Sequence, residues 1–127
     1  MREKRTRDIH DRIYKFVIRV LKLIKQLPKT PENLIIIGQI ARSVTSMGAN
    51  DQEADGVTTR KDFIHKYSIV RKESKETVYW LNIIADTNLS FKPRMKDLID
   101  EGIEIIKIVS TIIYNTQRNN TNKQINE

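Results

Sequence analysis

The chain has no cysteine, which excludes disulfides, thiolate metal sites and cysteine nucleophiles. Glycine and proline number only four and three in 127 residues. So few breakers suit long helices and argue against a turn-rich all-β fold. No apolar run reaches the roughly 18 residues that span a bilayer. The charged opening Met1-Arg2-Glu3-Lys4-Arg5 is not followed by the apolar stretch of a secretion signal. These absences point to a cytoplasmic protein with no membrane partner. Also missing are a phosphate-cradling glycine loop, zinc-ligand spacing and a nucleophile elbow. The only histidines are His10 and His65, and neither stands three residues after a glutamate, so the Glu-x-x-His element of di-metal carboxylate bundles is absent. No enzyme activity, metal or cofactor is expected.

Charge is abundant but unevenly placed. Residues 1–30 carry ten Lys/Arg against three Asp/Glu, whereas the remaining chain carries thirteen of each. The whole excess of +7 therefore lies on the first segment, a hint of an anionic partner.

Apolar spacing then lays out the helices. Ile9, Ile13, Phe16, Val17, Val20, Ile24 and Leu27 recur every three or four residues, predicting a helix from about Arg7 to Leu27. Arg12, Lys15, Arg19 and Lys22, with Arg5 before them, form its basic face. Pro28 ends it, because the residue before a proline is pushed out of the α region. A second helix starts at Thr30 as cap and Pro31 in the first turn. Its core stripe reads Leu34, Ile37, Ile40, Ala41, Val44 and Met47. Gly48, inside that helix, predicts close packing, since an interior glycine costs about 1 kcal/mol relative to alanine. After Asp55-Gly56 a third helix begins at Thr58 or Thr59, with Asp62 complementing its N-terminus. Phe63, Tyr67, Val70, Ser74, Thr77, Leu81 and Ile84 give it a heptad-like seam. A second stripe (His65, Ile69, Glu73, Glu76, Trp80, Ile83) runs beside the first and offers a face to another subunit. A fourth helix follows Asn88–Lys92, with Ser90 as its expected cap and Met95, Leu98, Ile99, Gly102, Ile105, Ile106, Val109, Ile112 and Ile113 on its core side. Residues 115–127 are polar and Asn-rich and read as a disordered tail. Four amphipathic helices on short connections make an all-α, antiparallel, up-down-up-down four-helix bundle over residues 1–114.

Several polar and aromatic residues are candidates for function. Arg5, Arg12, Lys15, Arg19 and Lys22 could track phosphates, each adding a salt-dependent increment; a solvated helix face is the plainer reading. Asn50 and Glu53 lie across a short turn from the third helix and invite a hydrogen-bonded cluster with Lys66, Arg71 or Lys72. Glu73 and Glu76 have the residue types of paired acid–base carboxylates, but an ion-pair or interface role is the simpler assignment. Tyr79 and Trp80 could be core, a base-stacking platform, or an oligomer anchor together with Ile69 and Ile83.

The central motifs also carry a resemblance. Gly48-Ala49-Asn50-x-x-Glu53-Ala54, then Arg60-Lys61-Asp62-Phe63-Ile64-His65-Lys66, then Lys72-Glu73-x-x-Glu76-Thr77-x-Tyr79-Trp80-Leu81 resembles the four-helix bundle protein family, also called the 23S rRNA intervening-sequence protein family. Asp51 and the Asp55-Gly56-Val57 insert depart from its usual wording. The resemblance implies an antiparallel four-helix bundle that assembles as a ring-like homo-oligomer, a pentamer. It also implies an association with ribosomal RNA. The bundle is similar to the accessory proteins of diversity-generating retroelements, which implies RNA or DNA and a reverse transcriptase as partners. It implies Asn50, Glu53, Asp62, His65, Lys72, Glu73 and Glu76 as family motif positions, and no enzymatic activity. Three function classes follow: an RNA-associated oligomer engaging through its first helix; a structural, protein-binding oligomer whose basic face only solubilises it; and, behind both, a metal-dependent enzyme.

Overall fold

Thr30 and Thr59 set the frame. Each hydroxyl accepts the backbone N–H three residues on, from Asn33 and from Asp62, both at 3.1 Å, and so caps the start of a helix. A computed structural model describes the backbone of residues 2–126 and the side chains of residues 8–119. It contains α1 (Arg2–Gln26), α2 (Pro31–Ala54), α3 (Arg60–Thr87) and α4 (Lys92–Asn126). Pro31 occupies the first turn of α2. No strand occurs among the described residues. Ser90 does not cap α4. The chain instead enters through turn bonds from Phe91 N–H to Asn88 O (2.9 Å) and Lys92 N–H to Leu89 O (3.2 Å), with the Arg94 guanidinium 4.0 Å above the Phe91 ring.

The helices alternate in direction, and each packs on two neighbours. The α2–α3 and α3–α4 contacts are extensive, α1–α2 is thinner, and α1–α4 closes the bundle most sparsely. The backbones of the diagonal pairs α1/α3 and α2/α4 do not approach one another closely. The core runs the length of the bundle through Phe16, Val20, Ile40, Met47, Tyr67, Leu81, Met95, Ile105 and Val109. Each fully buried large aliphatic or aromatic contributes about 1.5–3 kcal/mol. The seam of α3 is as the spacing predicts, with Tyr67, Val70, Ser74, Thr77, Leu81 and Ile84 buried and Phe63 half-buried.

α2 departs from its predicted stripe. Leu34 is 53% exposed, and Asn33 takes the core position instead at 4%. The reason is a polar closure of that end. The Asn33 amide donates to Pro28 O (2.9 Å) and to Asn88 Oδ1 (3.0 Å), and Asn88 donates back to Asn33 Oδ1 (3.2 Å). The exchange ties the start of α2 to the C-cap of α3 and turns Leu34 and Ile35 outward. Further along, Ser43, Asp51 and Ala54 continue the buried line.

Close packing at Gly48 is present, since a Cβ there would lie 3.1 Å from Val17 Cγ2. Gly102 is tighter: an added Cβ would meet Val78 Cγ2 at 2.7 Å and the Phe16 ring at 3.0 Å. Residues 115–119, expected to belong to a disordered tail, are helical within α4, and Thr116 returns its hydroxyl to Ile112 O at 2.8 Å. The remainder of that expected tail lies outside the described side chains.

Candidate functional site

The basic face of α1 divides in the structure. Arg12 is committed to α4: its Nε and Nη2 donate to the two Glu101 oxygens at 3.0 and 2.6 Å. The Glu101 hydrogen bond raises the Arg12 guanidinium above its usual value, with Glu104 and Asp8 adding to the attraction and partial burial opposing it. Lys15, Arg19 and Lys22 are exposed and have no partner among the described residues. They lie at i, i+4 and i+7, so they share one side of the helix. Arg5 lies outside the described side chains.

The motif residues do not form one cluster. Glu53 pairs with Lys66 at 2.8 Å across the α2–α3 turn, which is one of the expected links. Asn50 turns back on its own helix, to Ser46 O at 2.8 Å. Asp62 sits at the start of α3, where its N–H meets the Thr59 hydroxyl. His65 and Lys72 are exposed. Glu73, 5% exposed, and the half-buried Glu76 both accept from Arg42 of α2. The Arg42 Nη1–Glu73 distance is 3.3 Å, and Nη2 is in hydrogen-bond contact with Glu76. The arginine bridges the two carboxylates and gives Glu73 the partner that a buried acid requires. Nothing in the spacing pointed to Arg42, because its partners lie thirty residues on.

Sequence reasoning also missed a buried triad at the open end of the bundle. Asp51, 1% exposed, accepts from His10 Nδ1 through both oxygens, at 2.7 and 2.8 Å, and from the Tyr67 hydroxyl at 2.8 Å. Three helices therefore meet on one carboxylate. Burial first, then the Asp51 charge, pushes the Tyr67 phenol far above its usual value. The opposite ring nitrogen, His10 Nε2, is buried without a hydrogen-bond partner and lies 3.9 Å from Asp55 Oδ1. The available signal was Asp51 itself, a carboxylate in register with Ile40, Val44 and Met47. Among the described residues no group of three His, Asp or Glu side chains could hold a metal, and no helix is long and apolar enough to cross a membrane.

Of the expected interface residues, Ile69, Trp80 and Ile83 are half-buried on α3, and Trp80 packs against the core. Its indole Nε1 is buried without a hydrogen-bond partner. Tyr79 is the most exposed of the four. It is 58% exposed and meets the Trp80 ring edge-on, with centroids 5.1 Å apart and planes at 72°.

The family model of the 23S rRNA-intervening sequence protein matches residues 5–111, and the chain belongs to that family. A crystal structure of a protein of unknown function from the S23 ribosomal protein family of Bacteroides thetaiotaomicron is 33% identical, with a TM-score of 0.78. The match covers 87% of this chain and 98% of that one. No curated protein matches the chain.

Proposed function

We propose that this chain is a non-enzymatic, cytoplasmic, self-assembling four-helix bundle that associates with RNA through α1. The observation that supports this reading is the trio Lys15, Arg19 and Lys22, exposed and unpaired on the segment that holds the whole charge excess. Arg12 serves the fold rather than the ligand, because Glu101 occupies its guanidinium. Self-assembly, in a ring of five, would use the half-buried Ile69, Trp80 and Ile83. A second reading, a protein-binding scaffold with no nucleic-acid role, draws support from the acidic neighbours of the basic face, Glu101 and Glu104 on α4.

A mobility shift against structured RNA at two salt concentrations separates the two readings. The RNA reading expects a complex that weakens with salt and with joint replacement of Lys15, Arg19 and Lys22 by glutamine. No complex at low salt removes it and leaves the scaffold. Light scattering after gel filtration addresses assembly, and a species of one chain's mass at high concentration overturns that part.

A further inference from the structure

We propose that the outer ridge of α3 is a separate binding surface for single-stranded nucleic acid, with Lys72, Lys75 and Arg71 on the phosphates and Tyr79 stacking on a base. This surface stands apart from α1: α1 and α3 are diagonal in the bundle, with no close approach of their backbones, so either site could exist without the other.

The ridge follows from helical spacing. Lys61, Ser68, Lys72, Lys75 and Tyr79 are separated by intervals of three, four or seven residues and lie on one side of α3. All are exposed, as is Arg71 beside them. Lys61, Arg71, Lys72 and Lys75 have no partner among the described residues.

Their charge is uncompensated for an identifiable reason. Between Asp62 and Asp86 the only carboxylates on α3 are Glu73 and Glu76, and Arg42 of α2 takes both. With both acids engaged by Arg42 from the neighbouring helix, the α3 cations face solvent without an ion-pair partner among the described residues. The α1 face differs, since Arg12 there is surrounded by Glu101, Glu104 and Asp8. A ridge of unpaired cations is complementary to a polyanion.

Tyr79 narrows the class to a single strand. Its ring is held against Trp80 yet more than half exposed. Cations along a backbone track combined with a bare aromatic face are the components of single-strand recognition. A duplex keeps its bases stacked inside and has no use for that face. The scale also fits. Lys72 to Tyr79 is two helical turns, about 10.5 Å, long enough to lie along a short run of nucleotides.

The test is fluorescence anisotropy of a labelled oligouridine and of a duplex RNA of equal length, each at 50 and 200 mM salt. Wild type, Y79A, Y79F, the pair K72Q/K75Q and the α1 triple K15Q/R19Q/K22Q are compared. The oligouridine is expected to bind, with Y79A weakening it roughly 5- to 100-fold and Y79F close to wild type. K72Q/K75Q should flatten the salt slope by about 1.4, and the α1 triple should leave this arm unchanged. Trp80, the only tryptophan, should change emission on titration with unlabelled oligouridine and stay constant in Y79A. Exposed positions leave the fold intact, which unchanged circular dichroism confirms. The proposal is overturned if oligouridine does not bind, if Y79A binds like wild type, or if the duplex is preferred. It is equally overturned if Y79A changes the assembled mass instead of the affinity, since a sister copy would then cover the ring.

Discussion

Replacing Asp51 with alanine should be among the most damaging single changes available in this chain. The carboxylate is 1% exposed and accepts both His10 Nδ1 and the Tyr67 hydroxyl. Hydrogen bonds to a carboxylate contribute about 1.5–3 kcal/mol each, and a buried donor left unsatisfied costs about 1–3 kcal/mol. The alanine also leaves His10 and Tyr67 without an acceptor in the interior. These effects overlap, so D51A should lose about 3–5 kcal/mol. For a domain of this size each kcal/mol moves the midpoint by about 3–5 °C, a drop of roughly 10–25 °C in total. Thermal and urea unfolding followed by circular dichroism at 222 nm measure it. A control is built in: D51V with Y67F and H10L removes all three polar groups together, and matched apolar replacement of a buried cluster is often nearly neutral. The triple variant should therefore be more stable than D51A alone. If D51A falls within about 1 kcal/mol of wild type, or the triple is worse than the single, the buried-acceptor reasoning is wrong.

Tyr67 gives a pH prediction with a definite sign. Its folded-state value lies above the unfolded one, so the stability it contributes is complete below the unfolded value of about 10 and is lost as pH rises past it. Urea unfolding at pH 9 and 11 should show wild type losing up to about 1.4 kcal/mol per pH unit more than Y67F in that window. Gly102→Ala should destabilise by about 1–3 kcal/mol despite the better helix propensity of alanine. The new methyl would sit 2.7 Å from Val78 Cγ2 and 3.0 Å from Phe16; trimming Val78 to alanine in the same chain should recover part of the loss. For the α1 face, three unpaired cations set a slope of log affinity on log salt near −2.7 for a duplex. A slope near −4.5 would mean that Arg5 and Arg12 contribute as well.

The fold was readable because it rests on apolar period. The seams of α1 and α3 follow directly from their three- and four-residue spacing, and so do the turns around Pro28, Asp55-Gly56 and Asn88. What could not be read depended on pairs distant in sequence. Leu34 loses its core place because Asn33 and Asn88 exchange amides across 55 positions. Arg12 leaves the basic face because Glu101 lies 89 residues on. His10 and Asp51 are 41 apart. Periodicity shows which side of a helix is buried, but not which polar residue on a neighbouring helix stands opposite. The candidate site was legible in the same proportion: the unpaired cations were visible as a stripe, and the carboxylates that subtract from it were not.

The two polar ties of α1 have a consequence for how that helix is indexed against the others. α1 makes the sparsest contacts in the bundle, and its buried side is almost uniformly aliphatic, Ile9, Ile13, Val20, Ile24 and Leu27 around the single ring of Phe16. Such a greasy rod could slide by one turn, about 5.4 Å, and still lie grease against grease. His10 and Arg12 forbid it. Only two residues apart, they reach to opposite neighbours, Asp51 on α2 and Glu101 on α4. One sliding step would unlatch both together and strand a carboxylate in the interior.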